Sequence, residues 1–303
     1  MVRGGLGQQW LKKLEEQGDD YAEARAFPSS ILTSLSLTRS QWKDGREQRL
    51  LDYIKGLPNF EDLERNPPAI LNAIDTFANN EDFLISVGPD KASKIAQIVQ
   101  DRRPQVIVEL GGYLGYSAIL LANELRNISN TLGEESGCRV WSLEFEPGFA
   151  KIARELIEIA GLSSLVTVMT GSAEESLRDL KASAELERID LLFLDHVEDL
   201  YKQDLQVCEE LGMIKSGSTL IADNVVRPGA PQYREYVRGV AEYCSYGLES
   251  LIMPGDFEVG SDILVMEVKT DALCRMRWRS ALACESTWHL RWRGCGYVRI
   301  IAC

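Results

Sequence analysis

The run Glu109-Leu110-Gly111-Gly112-Tyr113-Leu114-Gly115-Tyr116-Ser117 joins a β-branched segment to a helical one through three glycines. Glycines let a backbone approach a ligand closely, and the helix that follows offers unpaired N–H groups. Tyr113 and Leu114 lengthen the turn beyond the GxGxxG fingerprint, which disfavours a nicotinamide-dependent dehydrogenase. A tight turn without a ligand is the competing reading. Glu144 ends the next apolar run, where an acid can accept both hydroxyls of a ribose or stand as a solvated carboxylate. Asp195 and the pair Asp223-Asn224 close two later runs. Two carboxylates and an amide form a hard-oxygen set suited to Mg²⁺, or they bond nearby loop N–H groups. His196, one of two histidines, is either a structural hydrogen-bonder or a ligand contact.

These positions acquire meaning from the elements that carry them. Helical spacing marks segments near 44–56, 67–77 and 90–100. From Val106 onward, apolar strands alternate with helices: 106–110, 139–145, 166–169, 189–194, 219–222, 248–252 and 262–268. Strands this apolar imply burial on both faces. The expected fold is α/β: a doubly wound, mostly parallel seven-stranded Rossmann-like sheet with helices on both faces. In such a sheet ligands bind beyond the carboxyl ends of the strands, where all four groups lie. The polar segment 127–138 reads as a surface loop.

Composition narrows the function classes. Hydrophobic residues make up 45% of the 303, and 33 basic against 46 acidic side chains give a net charge of -13, which disfavours a nucleic-acid partner. No apolar run approaches the ~20 residues a membrane span needs, and the first residues lack a signal-peptide core. Seven irregularly spaced cysteines suit a reducing compartment, so a cytoplasmic location is expected. Residues 271–303 differ, with six arginines, no lysine and four of the cysteines. Three segments are therefore expected: an N-terminal extension over 1–42, a domain over 43–269, and a basic tail over 270–303 that is non-native or disordered. The tail's cysteines lack zinc-ligand spacing.

The motifs VELGGYLGYSA at 108–118, LFLDH at 192–196 and LIADNVVRPG at 220–229 resemble catechol O-methyltransferases. EQRLLDYI at 47–54, AILNAIDTF at 69–77, ISVGPDK at 85–91 and YVRG at 236–239 extend the resemblance across 43–269. It implies Mg²⁺-dependent methyl transfer from S-adenosylmethionine (SAM) to a hydroxyl of a catechol or related vicinal diphenol, by a monomer. Val87, Glu109, Gly111, Tyr113 and Ser117 would hold the methionine end of SAM, and Glu144 the ribose. Ser172, Ala173, Glu174 and His196 would lie near the adenine, with Asp195 beside the cofactor as well. Asp195, Asp223 and Asn224 would be the metal ligands, and Glu258 would bond the second catechol hydroxyl.

The departures from the family are equally specific. The family's lysine base is Glu198 here, its tryptophan at the next site position is Val197, its methionine is Ile85, and a wall tryptophan is Phe83. Glu198 can accept a proton, but it adds negative charge beside two carboxylates. Lys91 and Lys202 are candidate substitute bases. A SAM-binding protein with lost catalysis and a regulatory role is the alternative that Glu198 raises.

Overall fold

A computed structural model of the chain describes residues 43–132, 137–251 and 259–268. The expectations for the N-terminal extension, the basic tail and Glu258 lie outside the described residues.

Strands β1 (Val106–Leu110), β2 (Arg139–Glu144), β3 (Val166–Thr170), β4 (Ile189–Leu194), β5 (Ile214–Ala222), β6 (Tyr243–Leu251) and β7 (Val259–Val268) form one sheet. Their order is β3-β2-β1-β4-β5-β7-β6. The first five are parallel, and β7 runs antiparallel to both of its neighbours. The expected doubly wound sheet is the observed one.

Side chains alternate across each strand, so a strand buried on both faces must be apolar at every position. In β4, Leu191 and Phe193 join one core, and Leu192 and Leu194 join the other. The first core is covered by α1 (Arg46–Lys55), the short α2 (Phe60–Leu63), α3 (Pro67–Asn80), α4 (Gly88–Arg102), α5 (Tyr116–Leu132) and α6 (Pro147–Ile159). The second is covered by α7 (Ala173–Ala182), α8 (Tyr201–Glu210) and α9 (Pro231–Gly239). The start signals are legible: Asn66 accepts a bond from Ala69 N ahead of Pro67, and Pro147 opens α6. Among the described residues no helix is long and apolar enough to cross a membrane.

Several boundaries differ from the sequence expectation. The segment expected to be a loop from residue 127 continues α5 to Leu132, because Ile128 still packs on the first core. Strand β5 begins at Ile214, five residues early, where Ser218 Oγ donates to Ile189 O beside an irregularity in the β4 register. Strand β6 begins at Tyr243, ahead of the expected 248, since pairing with β7 satisfies backbone groups that polar side chains had disguised.

The ladder continues past the strand ends, and this positions the site. Gly171 N donates to Glu144 O, Gly111 N to Leu143 O, Asp195 N to Leu110 O, and Asp223 N to Leu194 O, all at 2.9–3.0 Å. Each post-strand residue is thus held by the strand beside it. Phe193 is fully buried in the central strand. Phe193→Ala is expected to cost about 3–5 kcal/mol of stability in urea denaturation, and a negligible loss would contradict this packing.

Candidate functional site

The glycine turn is shaped by its own neighbours. Gly111 has φ +94°, and a Cβ there would lie 2.3 Å from Asp195 O; one on Gly112 would lie 2.4 Å from Ser142 Oγ. Both glycines are therefore required for packing against β2 and the end of β4, a closer approach than any ligand need impose. Tyr113, at φ 41°, donates its N–H to Glu144 Oε2 at 2.7 Å. Glu146 N donates to Glu144 Oε1 at 2.8 Å. Glu144 is 7% exposed, so it is a buried clamp on the turn rather than a solvated carboxylate, and burial pushes its pKa up. Tyr113 OH reaches Glu47 Oε1 at 3.3 Å, which ties α1 to the turn.

Glu109 lies within β1 beneath this turn and is fully buried. Ser142 Oγ donates to its Oε2 at 2.5 Å, while its Oε1 is buried with no hydrogen-bond partner among the described residues. Burial pushes its carboxyl up to about 7, against the lowering effect of the Ser117 and Ser142 hydroxyls. A carboxylate oxygen left unpaired in the interior asks for a cationic or donor ligand. Ser117, in the first turn of α5, is buried beside it. Phe145, 74% exposed next to Glu144, is an aromatic surface that the sequence reading passed over.

The second half of the site is a cluster of acids at the ends of β4 and β5. Burial and the neighbouring Asp223 hold the Asp195 carboxyl well above its ordinary range. No hydrogen bond to that carboxylate occurs among the described residues. Asn224 takes a left-handed backbone, φ 56°, which asparagine tolerates better than most residues, and its N–H donates to Asp223 Oδ1 at 2.8 Å. Lys91 Nζ lies 2.6 Å from the same Oδ1 and 2.6 Å from Asp262 Oδ2. Asp262 was missed in sequence because it reads as the polar start of an apolar strand. Its signal was the antiparallel register: Ala222 pairs with Leu264, and two further steps set Asp262 opposite Asn224. Among the described residues no group of three or more His, Cys, Asp and Glu side chains has metal-holding geometry. The hard-oxygen set is two carboxylates and one amide.

Lys91 is corrected from base to ion-pair partner. It is 3% exposed between two aspartates whose charges raise its pKa against the effect of burial, so it stays protonated. Lys202 lies over the Tyr236 ring at 5.7 Å, a cation–π contact. Glu198 opens the 3-10 turn between β4 and α8, and burial, with Asp223, Asp199 and Asp262 nearby, pushes its carboxyl up to about 7.

The remaining positions line the same edge of the sheet. Val87 is buried at the start of α4. Ser172 caps α7, with its Oγ accepting from Glu175 N at 3.3 Å, and Ala173 begins the helix. The Glu174 carboxylate is engaged by Arg178 at 3.0 Å and Gln203 at 3.4 Å. His196 Nε2 lies 2.7 Å from Asp204 Oδ2 and its ring stacks on Tyr201, the structural role expected of a lone histidine. Its Nδ1 is buried without a partner among the described residues. Val197 is 59% exposed beside Leu200 at 41%, with Val226 at 37% beyond the end of β5, so an aliphatic rim borders the acids.

The raised Glu109 carboxyl makes stability depend on pH. The folded state keeps a proton that the unfolded chain, at 4.5, has released, so stability falls as pH rises from about 4.5 through about 7. The loss attributable to this group is roughly 3 kcal/mol. Glu109→Gln is expected to flatten the pH dependence of the unfolding free energy between pH 5 and 8 in ligand-free protein. A slope equal to the parent's would contradict the burial argument.

Comparison with known proteins agrees with this geometry. Residues 68–238 match the family model described as O-methyltransferase. A Bos taurus catechol O-methyltransferase is 34% identical over 81% of this chain and 87% of its own length. Catechol O-methyltransferase B of Danio rerio is 36% identical over 69% of this chain and 73% of its own. Among solved structures, a Bacillus cereus O-methyltransferase in complex with SAH is 25% identical, with TM-score 0.54 over 74% of this chain and 96% of its own. The glycine turn, the strand-end acids and these relatives together make the chain an O-methyltransferase that belongs to the catechol O-methyltransferase family.

Proposed function

We propose that this enzyme transfers a methyl group from SAM to one hydroxyl of a catechol or similar vicinal diphenol, with Mg²⁺ as its metal. The observation that carries the reading is the excess of buried carboxylate over cation at one edge of the sheet. Glu109, Glu144, Asp195, Asp223, Asp262 and Glu198 gather there, and Lys91 is the cation bonded within the group. Such a cluster favours cationic ligands, and both a sulfonium donor and a divalent metal are cations. The bovine and zebrafish relatives are named for catechol, and the Bacillus cereus neighbour was solved with SAH.

The residues fit both groups. Glu109 Oε1, buried and without a hydrogen-bond partner among the described residues, suits the ammonium of the methionine end. Among the described residues, Asp195 has no hydrogen bond to its carboxylate, and both bonds that Asp223 accepts fall on Oδ1. Asp195, Asp223 and Asn224 would hold Mg²⁺, whose preference is for oxygen donors. When bound, SAM supplies an electrophilic methyl group and Mg²⁺ lowers the pKa of a coordinated hydroxyl.

The chain's own part is positioning and proton transfer. The turn at 111–117, with Val87, Tyr113 and Ser117, orients the donor. Glu144 takes the ribose with the carboxylate lone pairs its backbone bonds leave, and Ser172, Ala173, Glu174 and His196 border the adenine. Holding donor and acceptor in line supplies most of the rate enhancement. Glu198, whose carboxyl sits near neutrality, accepts the phenolic proton in place of a lysine. Val197, Leu200 and Val226 form the wall against the ring.

Incubation with SAM and catechol is expected to yield methylated catechol with Mg²⁺ and none with EDTA. SAM binding without turnover across a diphenol panel would refute the reading. Glu198→Gln is expected to lower kcat by about 10²–10⁴-fold with little change in SAM affinity. Unchanged turnover in that variant would exclude Glu198 as the proton acceptor.

A further inference from the structure

Lys91 and Asp262 are buried, charged and unused by the reaction outlined above. We propose that they act together as the positioning pair for the metal ligands Asp223 and Asn224, an inference that rests on the Mg²⁺ reading of the site. Lys91 comes from the first turn of α4 and Asp262 from β7, so the pair joins two elements distant in sequence at the end of β5.

The bonding pattern assigns each partner a task. Lys91 Nζ and Asn224 N both bind Asp223 Oδ1, which fixes the carboxylate's rotation and keeps Oδ2 out of those bonds. Asp262 uses Oδ2 for Lys91 and Oδ1 for the backbone N–H groups of Val226 at 2.8 Å and Arg227 at 3.1 Å. Those two residues lie two and three positions after Asn224 in the same turn, so Asp262 also holds the turn that keeps Asn224 in its left-handed conformation. One aspartate thereby governs one donor through Lys91 and the other through the backbone. It also supplies the charge that keeps a buried lysine from being shared by Asp195 and Asp223 alone. Partners of this kind orient metal ligands and are felt in metal affinity.

The direction of the Lys91 effect separates positioning from simple charge. A bystander cation repels Mg²⁺, and its removal would tighten metal binding. A cation that holds a ligand in place does the opposite.

The test is isothermal titration of Mg²⁺ into the full chain with SAM present, with SAM binding measured separately, for the parent, Asp262→Asn, Lys91→Met and Lys91→Gln. Both Asp262→Asn and Lys91→Met are expected to weaken Mg²⁺ binding by about 10–100-fold and to leave SAM affinity unchanged. KM for Mg²⁺ should rise while kcat at saturating metal stays near the parent's. Lys91→Gln keeps a donor beside Asp223 and should recover part of the loss while staying weaker than the parent. It decides the matter if either other variant fails to fold. Unchanged Mg²⁺ affinity in folded variants, or tighter binding in Lys91→Met, overturns the proposal and leaves the metal site standing. A parent that transfers methyl groups but binds no Mg²⁺ overturns both.

Discussion

The hydrogen-bond ladder that runs one residue past the ends of β3, β1, β4 and β5 is the constraint on which the site depends. Parallel strands in register bring their carboxyl ends to one edge, and the next residue of each chain segment is then held by a carbonyl at the end of its neighbour. Gly171, Gly111, Asp195 and Asp223 occupy those places. Their spacing is set by the sheet, so the site inherits the rigidity of a core buried on both faces. Loops then need only supply side chains.

The same constraint creates an electrostatic problem. Strand ends packed this closely gather carboxylates at a poorly solvated edge, and burial drives several of them toward the protonated form. Glu144 relieves part of the strain by accepting backbone N–H groups, and Asp223 and Asp262 by sharing Lys91. Glu109 and Asp195 keep unspent capacity. An active site poised to take up cations is the physical sense of that imbalance, and a positively charged methyl donor matches it.

A glutamate at position 198, where the resemblance implies a lysine, changes the charge of the site. A lysine that takes a proton begins neutral and ends charged, whereas a glutamate begins charged and ends neutral. The surroundings that burden Asp195 also raise Glu198, so the neighbours that make a glutamate unwelcome bring its proton affinity close to neutrality. Val197 and Leu200, on either side of Glu198 in the chain, and Val226 beyond the end of β5 give this part of the edge an exposed aliphatic rim.

Much of this was legible in the linear chain. Apolar runs of strand length separated by helical periods reveal a sheet covered on both faces, because a strand buried on both sides has no room for polar side chains. The glycine turn and the acids at run ends follow from the same logic, since polar residues collect where burial stops. Tertiary structure alone decided what those groups do to one another. Gly111 and Gly112 serve contacts with Asp195 and Ser142, which are far away in sequence. Lys91 read as a spare base and proved to be a held cation, and Asp262 read as the polar start of a strand and proved to be its partner. Proton affinity and pairing depend on distances across the fold, and those arise only when β5, β7 and α4 meet.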